Sequence, residues 1–115
     1  PTPVAAPATW PLLSIDTADR LLHRVRFADS STPARRAKPA GASGLELRMA
    51  LTPAGDRPPA DPGAYRFLHI ATRTPTAVVF PGPDAGLTAH YTARWLSTRA
   101  HPGPWGPIAS ATVGA

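Results

Sequence analysis

The sequence predicts an all-β domain built as a seven-stranded antiparallel β-sandwich. Three observations predict it. Short segments with period-two hydrophobicity recur along the chain. Turn-rich stretches separate them, crowded with many of the 16 prolines and 9 glycines among 115 residues. No segment carries the apolar spacing of a long amphipathic helix. Seven short strands in roughly 100 residues suit two packed sheets.

Residues 1–11, PTPVAAPATWP, read as a proline-rich linker or arm, and residues 12–115 as the sandwich. Proline fixes φ and removes donors, so the arm should be extended and semi-rigid. Trp10 is expected to anchor its end on the domain, because a bare exposed tryptophan is unfavourable. PLLSI (Pro11–Ile15) reads as a first edge strand, since proline is tolerated at a strand start.

In RLLHRVRFAD (Arg20–Asp29), His23, Val25 and Phe27 share one face. GLELRMAL (Gly44–Leu51) alternates most clearly, with Leu45, Leu47, Met49 and Leu51 opposed to Glu46, Arg48 and Ala50. YRFLHIA (Tyr65–Ala71) is almost continuously apolar, and TAVVF (Thr76–Phe80) is short and β-branched. HYTARWLST (His90–Thr98) sets Tyr91, Ala93 and Trp95 against Thr92, Arg94 and Leu96. PIASATV (Pro107–Val113) closes the set, and PDAGLTA has room for one short helical turn.

A chain of this length suits one domain and buries about two thirds of its unfolded surface. There is no cysteine, which excludes a disulfide framework, a thiolate nucleophile and a Cys-ligated zinc. The lack of cysteine fixes no compartment. Asparagine and glutamine are absent, and eleven arginines stand against the single Lys38. A GC-rich coding bias explains this more simply than avoidance of thermolabile side chains. The formal net charge of +5 gives a salt-screened attraction to anionic partners. No apolar run approaches the ~20 residues that span a bilayer, and no signal-peptide pattern follows Pro1. Since Pro1 is not an initiator methionine, the chain is read as a trimmed form of something longer.

The chemistry-bearing residues do not converge on a reaction. There is no G-x-S-x-G, and GASG (Gly41–Gly44) reads as a turn. His23, His69, His90 and His101 show no metal-ligand spacing, so each is read as structural and no cofactor is expected. Asp56 and Asp61 lack the ligand density of a calcium loop. The loop ARRAKP (Ala34–Pro39) offers Arg35, Arg36 and Lys38 to a phosphate or an acidic partner. The plainer reading is a solvated loop that guards nearby sheet edges. Three charges without aromatics are too weak a footprint for specific nucleic-acid binding. RPPADP (Arg57–Pro62) holds a minimal P-x-x-P and reads as a stiff loop.

The order of these elements resembles a fibronectin type III domain, an immunoglobulin-like sandwich with strands A, B, C, C′, E, F and G. Leu87, a polar step, Tyr91 and the inward alternation after it look like that fold's tyrosine corner. The usual tryptophan of strand B is replaced by Phe27. The stretches HRVRFADSSTPARRAKPAG, TRTPTAVVF, DAGLTAHYTARWLSTR and GPWGPIASATV also resemble the C-terminal domain of a family of uncharacterised bacterial proteins. In that family a helical region precedes a fibronectin-III-like domain. The helical region is missing here, and the resemblance brings no assigned chemistry.

In TARWLSTRAHPGPWGPIASATV, Thr92 to Val113, the alternation turns Trp95 inward and Arg94 outward, near Arg48 and Arg66. Trp105 follows a Gly/Pro-rich loop and is expected to stack with these guanidiniums, each contact worth ~0.5–1 kcal/mol when exposed. The arrangement resembles the Trp/Arg stack of cytokine-receptor sandwiches, with Gly106 and Pro107 in place of that motif's serines. An exposed Trp105 would instead be an interface anchor. The expected function is a non-enzymatic protein-interaction or structural module, with self-association as one route. Its candidate interaction residues are Arg35, Arg36, Lys38, Arg48, Arg94 and Trp105. The alternative is an accessory domain that binds carbohydrate or a polyanion through exposed aromatics and the basic loop.

Overall fold

The computed structural model describes residues 7–32, 38 and 41–114. Seven strands form: β1 (Pro11–Asp16), β2 (Leu22–Asp29), β3 (Ala42–Thr52), β4 (Arg66–Ala71), β5 (Thr76–Val79), β6 (Thr88–Ser97) and β7 (Ala109–Thr112). Each falls on one of the strand segments read from the sequence. Two 3-10 turns, Pro62–Ala64 and Gly82–Asp84, use proline where the missing N–H costs nothing. No helix among the described residues is long and apolar enough to cross a membrane.

The strands pair antiparallel in two sheets, β1-β2-β5 and β4-β3-β6-β7. The inner faces carry the residues that alternation selects. Val25 and Phe27 of β2 face Leu45, Leu47 and Met49 of β3 and Tyr91, Ala93 and Trp95 of β6. Phe27 meets Trp95 edge to face, with ring centroids 5.8 Å apart. That geometry suits the quadrupoles of both rings.

Two polar clamps lie inside this apolar layer. Nε2 of His23 lies 2.8 Å from the carbonyl oxygen of Thr112, which can only accept. The imidazole proton is therefore on Nε2, and Nδ1 accepts from the Tyr91 hydroxyl at 2.8 Å. Tyr91 is thus tied across to β2. Burial raises the Tyr91 phenol well above its ordinary value and keeps it a donor.

The second clamp is Asp29. Its carboxylate accepts from Trp95 Nε1 at 2.9 Å, Thr9 Oγ1 at 2.5 Å, the Ser31 amide at 3.2 Å and the Ser31 hydroxyl. Burial pushes this carboxyl upward, yet the hydrogen bonds from Ser31, Thr9 and Trp95 together hold it below the ordinary aspartate range. One side chain therefore joins the end of the N-terminal segment to the central tryptophan. Trp10 stays 41% exposed, and its carbonyl accepts from the Ser30 amide at 2.9 Å.

Candidate interaction face

The outer face of the four-stranded sheet carries three of the six sequence-predicted residues, Arg48, Arg94 and Trp105. Register places Glu46 opposite Arg94 and Arg48 opposite Thr92 on the β3–β6 pair. Beyond Ser97 the chain turns and runs back along β6, with Gly103 N–H donating to the Trp95 carbonyl and Gly106 N–H to that of Ala93, both at 2.9 Å. That path lays Trp105 across the outward arginines. The Arg94 guanidinium carbon lies 4.2 Å from the Trp105 ring centroid, and that of Arg48 6.0 Å. Both distances fall within cation–π reach.

Gly106 is required for this path. A Cβ built there would lie 2.2 Å from the backbone oxygen of Pro11. Only a residue without a side chain lets the segment pass so close to β1.

Glu46 fills the space between the two arginines. It is the only glutamate of the chain and is buried at 7% exposure. Arg94 reaches its Oε1 through Nε at 3.2 Å and Nη2 at 3.1 Å, and Arg48 Nε reaches its Oε2 at 2.6 Å. The carboxylate ties down both guanidiniums that lie over the indole. Two cations on one anion leave the cluster one positive charge in excess.

Arg48 stacks a second time, 6.0 Å from the ring centroid of Phe67. The sequence pointed to Arg66 for this place. A bulge between Leu47 and Arg48 shifts the pairing so that Phe67 stands opposite Arg48 and Arg66 opposite Met49. Arg66 is therefore no part of the stack. Lys38 precedes β3, its ammonium on the Ser43 carbonyl at 3.0 Å. Arg35 and Arg36 lie outside the described residues.

Beside the stack is an apolar groove of about 200 Å³ lined by Tyr65, Pro59, Pro62, Trp105, Ile108 and Arg48. The Tyr65 ring is buried, and its hydroxyl donates to the Pro59 carbonyl at 2.9 Å. Burial raises this phenol and keeps the donor in place. Asp61 caps the 3-10 turn by accepting from Gly63 N–H at 2.9 Å. The stiff loop read from RPPADP thus forms one wall of a groove, which the sequence did not reveal. Trp105, Phe67 and Ile108 are 40%, 50% and 44% exposed on this face.

Further along the same face, His90 is sandwiched between hydroxyls. Its Nδ1 lies 2.6 Å from Ser110 Oγ and its Nε2 2.8 Å from Thr52 Oγ1. Burial depresses the imidazole below its ordinary value, partly offset by the charge of Asp56. Neither ring nitrogen bonds a carboxylate, so the trio lacks the orienting acid of a Ser-His-Asp triad. His69 bonds Thr76 at 2.7 Å. No three His, Asp or Glu side chains among the described residues come together as a metal site.

No protein-family model matches the chain, and no curated protein does. Among solved structures, it is similar to the pectate lyase PelI of Erwinia chrysanthemi in complex with tetragalacturonic acid. The TM-score is 0.55 at 10% identity, over 91% of this chain and 28% of the lyase. At that identity the likeness concerns the fold alone, and the chain spans about a quarter of the lyase's length.

Proposed function

We propose that this domain is a non-enzymatic protein-interaction module of the fibronectin type III kind, and that it binds through the outer face of β4-β3-β6-β7. The sheet order supports the fold assignment, since β1, β2 and β5 stand where strands A, B and E belong and β4, β3, β6 and β7 where C′, C, F and G belong. The observation that carries the function is the exposure of Trp105 and Ile108, both about half exposed, at one groove, with the half-exposed Phe67 beside Arg48 of its wall. The Glu46 cluster holds two of its walls rigid, and a rigid aromatic loses little freedom on binding. A second copy of the chain is one partner this face admits.

The carbohydrate alternative draws on the same tryptophan. It is weakened by the Arg94 guanidinium at 4.2 Å, which occupies ring surface that a sugar would use as a platform.

A photo-crosslinking amino acid at Phe67 tests the reading, with the same group at Val79 as control. Val79 is 77% exposed and belongs to the other sheet. Irradiation in the organism that makes the protein should give a discrete protein adduct from position 67 and none comparable from position 79. No adduct from 67, or the same smear from both positions, would sink the proposal.

A further inference from the structure

We infer that the groove takes an extended, acidic, proline-bearing segment of a partner protein. The inference rests on the interaction reading above and names the chemistry of the partner. Four observations carry it, beginning with size. About 200 Å³ is below the ~300–1,000 Å³ of small-molecule pockets, so the groove holds one or two side chains of a longer ligand.

The second is shape and lining. Tyr65 and Trp105 face a cleft closed by Pro59, Pro62 and Ile108. Aromatic-lined apolar clefts of this kind accept the rings of a polyproline II segment, which arrives already extended and loses little entropy.

The third is an unused donor. Among the described residues nothing accepts from the Trp105 indole N–H, whereas the Tyr65 hydroxyl is spent on its own loop. A polyproline II backbone has no internal hydrogen bonds and offers its carbonyls to such a donor.

The fourth is charge. Arg48 gives Nε to Glu46 at 2.6 Å and Nη1 to the Tyr65 carbonyl at 3.4 Å, while Nη2 has no partner among the described residues. That nitrogen belongs to a residue lining the groove, in a cluster with one excess positive charge, on a domain of net charge +5. A carboxylate one or two residues from the docked proline complements it.

The test is a titration of the labelled intact chain with a synthetic nonapeptide of three Pro-Pro-Glu units, read by the tryptophan indole N–H signals. The chain has three tryptophans, and a Trp105→Phe variant assigns the signal of Trp105. The peptide should shift the Trp105 indole and leave that of the buried Trp95 in place. Ile108→Ala, at a groove residue outside the Glu46–Arg48–Arg94 cluster, should weaken binding at least about tenfold, as expected for a central anchor site. A peptide with lysine for glutamate should bind several-fold more weakly, and an alanine-for-proline peptide should not bind measurably. Equal binding of either control peptide overturns the inference. So does a Trp105 shift produced by tetragalacturonate and not by the peptide. No binding at all also overturns it, while a crosslink from position 67 would leave the interaction reading standing with another partner chemistry.

Discussion

The Tyr91 hydroxyl donates to Nδ1 of His23 across the sandwich, at 2.8 Å between two fully buried side chains. The bond joins the two sheets at a point where apolar packing alone would allow sliding. It also explains why a histidine tolerates a core position, since its other nitrogen donates to the Thr112 carbonyl. Both ring nitrogens are satisfied without an ionised partner.

Tyr91→Phe should therefore cost more than a hydroxyl's volume suggests. It leaves Nδ1 of His23 buried and unpaired, a loss of about 1–3 kcal/mol. His23→Leu should cost a similar amount by orphaning the Thr112 carbonyl. The double variant should lose less than the sum, because the two residues share one bond. Urea denaturation of the four proteins measures the coupling, and strict additivity would disprove the clamp.

Acid should act on the fold through Asp29. Its carboxyl lies below the ordinary range in the folded protein, while the unfolded chain restores a value of about 3.9. The unfolded state then binds protons more readily. The stability Asp29 contributes is full above about pH 4 and is lost as pH falls through the folded value. Asp29→Asn should flatten the decline of melting temperature as pH falls below about 4, while lowering stability at pH 7. An unchanged acid limb would place the sensitivity elsewhere.

Much of the architecture was legible because strand period and turn chemistry are local properties. All seven strands follow from alternation or, for β4 and β5, from a short apolar or β-branched run between turns, and the inward Trp95 and outward Arg94 follow from alternation. The partners do not, because alternation gives a face and not a neighbour. The Asp29 network joins Thr9, Ser31 and Trp95 over as many as 66 residues, and nothing in the spacing announces it. Phe67 took the place expected for Arg66 because one bulge shifts the phase of β4. The groove needed the loop carrying Pro59 to fold back onto Tyr65, a closure set by one hydrogen bond rather than by a pattern.

Gly106→Ala should disturb Trp105 without touching it. The new methyl meets the Pro11 carbonyl oxygen at 2.2 Å, and backbone on both sides must yield. Overpacking of this kind costs about 1–3 kcal/mol. The expected readouts are a lower melting temperature and a shifted Trp105 indole signal. Ala at Gly55, where nothing lies within 4 Å, separates crowding from conformational strain, since its φ of +87° costs energy without a clash. If both variants shift the Trp105 signal alike, the close approach to Pro11 does not set its position.

Glu46→Gln tests whether the stack depends on charge or on packing. The side chain keeps its volume and one acceptor but loses the anion shared by Arg48 and Arg94. The arginine side chains are 34% and 25% exposed, so water screens part of the loss. A cost of about 1–2 kcal/mol is expected, between that of a surface pair and a buried one. The two guanidiniums, no longer held by a common carboxylate, should stack less on Trp105, raising the quenching of its fluorescence by iodide. That increase should shrink in the Arg94→Ala background, where the closest cation is already gone. Quenching that stays at the wild-type level would mean that the path of residues 103–106 along β6, and not Glu46, positions the indole.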